Sequence, residues 1–180
     1  ARDGIQTLPD SALAVFEGRL AAIDAESRHI LRAASVFGRT FSAQGVAALV
    51  VAEHDIAAVR SSLAEMCRGE LVSRDGVDMD TYRFRHAVLR DASYAMLTED
   101  DAVIGHRLAG AWLEANNFAD ASVLAHHFGR GDDAARAAHW CRRAAEQSLE
   151  GNDLDGALVF CDRALALETV RLVDEEGADV

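Results

Sequence analysis

Several residue types on which common enzyme sites depend are missing or scarce in this 180-residue chain. It has no lysine, so all eighteen basic residues are arginine. A phosphate-binding loop with its lysine, a Schiff-base lysine and a kinase-type lysine are therefore excluded from this segment. Proline occurs once, at Pro9, whereas alanine fills about a fifth of the positions, and this composition favours helix.

Cysteine is scarce as well. Cys67, Cys141 and Cys161 form no motif spacing, and an odd number argues against a secreted disulfide framework. We expect reduced, mostly buried thiols in a cytoplasmic protein. No apolar run approaches the roughly 20 residues of a membrane span, so no membrane partner is expected. The chain lacks both an initial Met and a signal peptide, and we expect it to be a piece of a longer protein.

The formal net charge of −12 is spread unevenly. Residues 26–97 hold nine acids and nine arginines, whereas residues 98–180 hold seventeen acids and seven arginines, a net of −10. A domain that binds duplex DNA needs a concentrated positive field to release counterions. Neither part has one, so direct nucleic-acid binding is not expected.

Apolar residues at helical spacing predict four helices in the first half. The first contains Leu13, Phe16 and Leu20. The next is predicted from Ala25 to Phe37 and ends at Gly38. Two more follow at 42–51 and 55–68, and the latter carries an apolar stripe of Ile56, Val59, Leu63 and Met66.

The period then changes from helix to strand. Leu71–Arg74 and Thr81–Arg85 predict a hairpin in which Tyr82 and Phe84 point one way and the arginines between them the other. The tip carries three aspartates whose spacing does not fit an EF-hand, and we expect them to be solvated: Asp75, Asp78 and Asp80. Three helices followed by a two-stranded ribbon is the order of a winged helix-turn-helix.

From Ala87 onward the pattern is helical again. Breaks fall at Asn116-Asn117, at residues 129–132 and at residues 151–153, and breaks this short favour antiparallel helix pairs. A stripe for the first long helix is predicted from Ile104, Leu108, Ala111, Trp112 and Ala115.

The last two helices fit a tetratricopeptide pair, in which small residues stand where two helices cross closely. The expected packing residues are Ala137, Cys141, Ala144, Ala145, Ala157, Cys161 and Ala164. The expected fold is therefore mostly α, a winged helix-turn-helix lobe with a small β-hairpin followed by antiparallel helix pairs of a tetratricopeptide-like solenoid.

The histidines and nucleophiles form no recognisable site. Adjacent His126 and His127 diverge by about 100° on a helix, so they cannot chelate one metal together. His29, His54, His106 and His139 lack a His, Cys or Asp partner at the spacing of a known zinc site. No Ser, Cys or paired-carboxylate catalytic arrangement can be assembled either. We therefore expect no catalytic residue, no metal and no cofactor in this segment.

Three stretches resemble a bacterial branch of the STAND-type signal-transduction ATPases: 31–41 (LRAASVFGRTF), 82–97 (YRFRHAVLRDASYAML) and 124–128 (LAHHF). The resemblance implies an ATPase core before this segment, then a winged helix and tetratricopeptide-like repeats. It also implies a parent that uses ATP and ADP and bears an output such as a nucleotide cyclase, a Ser/Thr kinase or a LuxR-type DNA-binding domain.

The same resemblance points to His86. Related apoptotic and plant-resistance ATPases have a Met-His-Asp motif here, whose His touches a phosphate of the bound nucleotide. In this chain Phe84 stands two residues before His86 and Ala87 replaces the Asp, so the match depends mainly on His86. If the strand reaches it, His86 shares the face of Tyr82 and Phe84. The alternative is that His86 only ends the strand and caps the next helix.

The resemblance divides the chain into a connecting helix from a missing ATPase core (1–25), a winged-helix domain (26–97) and tetratricopeptide-like repeats (98–180). It implies a non-catalytic segment in which the winged helix is a lid on the core. The repeats would be a sensor or scaffold for a protein or small-molecule effector. The alternatives are a DNA-binding winged-helix transcriptional regulator and a metal-assisted or hydrolytic enzyme.

One repeat cannot cover its own apolar face, so we expect further repeats to follow in the parent. In this fragment alone the final helix should lack a following repeat to cover it. Ala164, Leu165 and Leu167 would then be uncovered, and the acidic tail after them is too polar to replace a repeat. We expect concentration-dependent dimerisation of this fragment through its C-terminal helix.

Overall fold

The computed structural model describes residues 18, 23–50, 55–75 and 80–177, with side chains described through Thr169. Within these ranges the chain forms eight helices and three short strands, which confirms the expectation of a mostly helical fold. It divides into two units, residues 1–98 and 99–180. The first predicted helix, within the connecting segment 1–25, lies outside the described residues.

The first unit alternates helices with short strands. Its first helix begins after Asp24 and ends where Gly38 adopts a φ of +103°, which favours glycine. Side-chain oxygens of Asp24 and Ser42 accept hydrogen bonds from backbone N–H groups in the first turn of the helices that follow them. The elements are α1 (Ala25–Val36), β1 (Thr40–Ser42), α2 (Ala43–Leu49), α3 (Ile56–Arg68), β2 (Val72–Arg74), β3 (Thr81–Phe84) and α4 (Ala87–Ala95).

The sheet has three antiparallel strands in the order β1-β3-β2, rather than the two that were predicted. The additional strand, β1, pairs Phe41 with Tyr82 of β3. The ring of Phe41 lies 6.1 Å from that of Tyr82 and 5.2 Å from that of Phe84. A three-residue strand has no period of its own to recognise, so it is defined by its pairing with β3.

The core of the first unit lies between the helices and one face of the sheet. Tyr82 and Phe84 are buried whereas Arg83 and Arg85 are exposed, which confirms the predicted alternation. The stripe of α3 is confirmed as well: Val59, Leu63 and Met66 are buried, and Ile56 is partly buried against the same core.

The second unit consists of four helices, each packed against the next in sequence: α5 (Glu99–Ala115), α6 (Ala121–Arg130), α7 (Ala134–Glu150) and α8 (Leu154–Gly177). They end at the predicted breaks. The same turn closes α5, α6 and α7: a residue in left-handed conformation is followed by one whose N–H donates to the carbonyl five residues earlier. The left-handed residues are Asn117, Asp132 and Asn152, and the donors are Phe118, Asp133 and Asp153.

Two glycines at equivalent helix ends differ in their surroundings. A Cβ on Gly131 would lie 2.7 Å from the backbone nitrogen of Arg107, whose side-chain Nε donates to the Gly131 carbonyl at 2.9 Å. A Cβ on Gly151 would meet nothing nearer than 3.5 Å. Gly131 is therefore required by the close approach of α5 to the turn after α6, not by its φ of −85°.

The predicted stripe of α5 is wrong. Ile104 and Leu108 are exposed, and the buried residues of this helix are Ala102, His106, Ala109, Gly110 and Leu113. The reason is close packing: a Cβ on Gly110 would lie 3.1 Å from the ring of Phe128 on α6. Small residues therefore form much of the buried side, and Ile104 and Leu108 face outward.

Candidate functional site

The residues predicted to pack the helix pair are nearly all buried. Six have little exposure: Ala137, Cys141, Ala144, Ala145, Ala157 and Ala164. The seventh, Cys161, is exposed, so its assignment to the packing contact is corrected. Trp140 and Phe160 are half-buried and pack on a cluster formed by Ala125, Cys141 and Ala164.

The different burial of Cys141 and Cys161 follows from how many neighbours each helix has. Both stand four residues after one buried alanine and three before another. Helix α7 packs against α6 and α8, whereas α8 packs chiefly against α7. The same spacing therefore produces a covered thiol in the inner helix and an exposed one in the outer helix.

One exposed side of α8 is apolar. Leu154, Leu158 and Leu165 are 63–64% exposed and share this side with Cys161. We call these four residues the α8 outer face. The sequence had assigned Ala164, Leu165 and Leu167 to the uncovered side, but Ala164 is buried and Leu167 half-buried. Only Leu165 of these three belongs to it.

Several exposed arginines of α3 and the hairpin lie next to carboxylates. Arg60 Nε is 2.8 Å from Asp80 Oδ1, although 20 residues separate them, and Arg83 is bound to both oxygens of Asp75. Arg68 lies 3.5 Å from Glu65. Asp75 and Asp80 are thus partly exposed and each is paired with an arginine, whereas Asp78 lies outside the described residues.

His86 occupies the N-cap position of α4, immediately after the sheet. Strand β3 ends at Phe84, so the condition under which His86 would share the buried face of Tyr82 and Phe84 is not met. Its side chain is exposed, and it accepts no capping hydrogen bond from the helix. The structure therefore places the imidazole at the surface, at the junction of β3 and α4.

Two histidines that the sequence analysis treated separately meet in the interior of the second unit. His106 of α5 and His127 of α6 are each 2% exposed, and their Nδ1 atoms lie 3.1 Å apart. One Nδ1 donates a hydrogen bond and the other accepts it, so the pair fits two neutral rings. No local spacing signals this contact, because 21 residues and a turn separate the partners.

Burial and, to a smaller extent, the charge of neighbouring His126 lower the pKa of His127 to about 4. Burial also raises the pKa of the Cys67 and Cys141 thiols, which leaves them protonated near neutral pH. Within the described ranges, no group of three or more His, Cys, Asp or Glu side chains could hold a metal ion.

An open cleft of about 450 Å³ lies where α6 begins and α7 ends. Its polar groups already have partners. Gln147 accepts from the N–H of Ala121 and donates to the carbonyl of Ala119. Asp120 and Asp153 accept from the first turns of α6 and α8. The cleft therefore offers little unsatisfied polarity to a ligand.

No protein-family model, curated protein or solved structure matches this chain. In the part of the chain that the structure describes, no helix is both long and apolar enough to span a bilayer.

The buried histidine pair predicts a loss of stability in mild acid. An unfolded histidine titrates near 6.5 and folded His127 near 4, so the unfolded chain binds more protons between these values. The contribution of His127 to the free energy of unfolding is complete above about pH 6.5 and falls as the pH drops towards 4. It amounts to at most about 3 kcal/mol. His127→Gln should flatten this dependence, as measured by urea unfolding at about pH 7 and about pH 4.5.

His139→Gln is the matched control, because His139 is an exposed histidine of the same unit. It should retain the wild-type loss of stability. An equal loss in the His127→Gln variant would contradict the assignment to the buried pair.

Proposed function

We propose that this chain is a non-catalytic regulatory and protein-interaction segment of a larger, ATP-dependent signalling protein. In this proposal residues 26–97 form a winged helix that acts as a lid on an ATPase core, and residues 98–180 form tetratricopeptide-like repeats that act as a sensor or scaffold. ATP and ADP would bind to the core, and the repeats would receive a protein or small-molecule effector.

The order of elements supports the winged-helix interpretation. Helices α1, α2 and α3 precede the β2–β3 ribbon, and β1 adds a third strand beside β3. The repeat interpretation is supported by α7 and α8, which pack on each other through buried alanines after a short turn. These features belong to scaffolds whose surfaces bind other molecules.

One observation carries the choice of a lid over a DNA reader: the pairing of Arg60 with Asp80 and of Arg83 with Asp75. In a winged helix that reads DNA, the third helix and the wing present cations to phosphates. Here those arginines are neutralised within the chain. A surface of balanced charge is better suited to contact a protein than a duplex.

The ion pairs of Arg60 and Arg83 predict that the chain has negligible affinity for duplex DNA, measured by fluorescence anisotropy over a range of salt concentrations. The double variant Asp75→Asn/Asp80→Asn releases Arg83 and Arg60. It should gain weak binding whose logarithm falls with log salt at a slope of about −2, as expected for two phosphate contacts.

Glu99→Gln/Asp100→Asn is the matched control, because it changes the net charge equally at two exposed positions in the other unit. It should gain no such binding. Wild-type protein that binds DNA with a steep salt slope would contradict the lid proposal and favour the alternative of a transcriptional regulator.

His86 is the residue we assign to nucleotide sensing within the proposal. Its imidazole is exposed at the β3–α4 junction, and an imidazole can donate a hydrogen bond to a phosphate. The isolated chain should bind ADP and ATP negligibly, because it contains no lysine or phosphate loop. In the full-length protein, His86→Ala should weaken ADP retention about ten-fold and raise basal output, since the contact favours the closed state.

Equilibrium binding of labelled ADP to the full-length protein measures this effect. His29→Ala, which removes an exposed histidine of α1, is the control and should leave ADP affinity unchanged. Unchanged ADP affinity and basal output in the His86→Ala variant would reduce His86 to a structural residue.

A further inference from the structure

The α8 outer face is a continuous apolar stripe. Steps of four, three and four residues separate Leu154, Leu158, Cys161 and Leu165, and this spacing keeps their side chains along one side of the helix. All four are exposed, and the three leucines are 63–64% exposed. The stripe is about three helical turns long, which matches the contact length of an ordinary helix.

Two carboxylates border one edge of this stripe. Asp155 and Asp162 each stand three residues before a leucine of the outer face, so each lies beside that leucine on the helix. Both are exposed, and neither makes an ion pair with any described residue. At the opposite edge, Glu168 is already paired with Arg142. The charged groups beside the stripe that are not already in ion pairs are therefore negative.

We infer that the α8 outer face docks an amphipathic helix whose apolar stripe is flanked by arginine or lysine. Leucines of such a helix would cover Leu154, Leu158 and Leu165, and its cations would meet Asp155 and Asp162. Flanking charges select partners in this way when two helices pack through apolar stripes.

The negative charge of Asp155 and Asp162 also favours a basic helix over a second copy of the chain as the partner. Two copies packed antiparallel through their outer faces would bring Asp155 and Asp162 of each towards those of the other, and like charges disfavour such pairing. The surplus of ten acids in residues 98–180 acts in the same direction. The inference depends on the surface of α8 alone and stands whether or not an ATPase core precedes the chain.

The test uses the 180-residue chain and synthetic fluorescein-labelled peptides read by anisotropy. The probe is a capped amphipathic helix with leucines at i, i+4, i+7 and i+11 and arginines at the flanking positions. Two control peptides carry glutamate or glutamine at those positions. The arginine peptide should bind at least ten-fold more tightly than the glutamate peptide, and its affinity should fall between about 50 mM and about 200 mM salt.

Variants of exposed residues locate the contact without disturbing the core. Asp155→Asn/Asp162→Asn should weaken the arginine peptide about ten-fold and leave the glutamine peptide unchanged. Leu158→Gln should weaken both peptides. The matched controls are Glu99→Gln/Asp100→Asn for charge and Ile104→Gln for an exposed apolar residue of α5, and neither should have an effect.

Two results would overturn the inference. One is equal binding of the arginine and glutamate peptides, or binding of neither. The other is dimerisation of the chain at low salt that Leu158→Gln abolishes, measured by sedimentation or light scattering, because the occupant would then be the second copy expected from the sequence. The salt dependence distinguishes the two partners. Added salt weakens binding of the basic peptide, whereas it strengthens dimerisation by screening the repulsion between acidic residues.

Discussion

Each helix of the second unit packs chiefly on its neighbours in sequence, and this arrangement governs the unit. Helices α5, α6, α7 and α8 follow one another through short turns, so an inner helix is covered on two sides and α8 chiefly on one. The turns make this arrangement possible, because a left-handed Asn or Asp and a following aspartate end one helix and start the next within three to five residues. Alanines then allow the helices to approach closely.

Charge is distributed differently in the two units, and this difference connects the fold to the proposed function. In the first unit Arg60 of α3 and Arg83 of the hairpin are neutralised by carboxylates that the tertiary fold brings to them. In the second, Asp155 and Asp162 remain without ion-pair partners among the described residues, beside exposed leucines. The first surface suits a neutral protein contact, and the second suits a basic helix.

Local chemistry made the helix ends and the strand alternation predictable. Gly38, Asn117, Asp132 and Asn152 adopt left-handed backbone conformations and stop helices through preferences that act within a few residues. Tyr82 and Phe84 were predicted to share one face of the strand because period two is itself a local signal, and that face is buried.

Features that depend on partners far away in the sequence could not be predicted from local signals. Strand β1 exists because of β3, Arg60 meets Asp80 across 20 residues, and His106 meets His127 across 21. The predicted packing of Cys161 was wrong for the same reason, since the position with this spacing is buried in α7 and exposed in α8. The number of neighbours that a helix has is a tertiary property, and a stripe of apolar residues does not encode it.

Thiol labelling tests most directly the central claim that α8 is covered on one side only. The chain has three cysteines in three environments: Cys161 is exposed, Cys67 intermediate and Cys141 buried. Under native conditions a maleimide should modify Cys161 about a hundred-fold or more faster than Cys141, which should react only through unfolding. Cys161 protected as strongly as Cys141 would contradict the account, because the α8 outer face would then be covered.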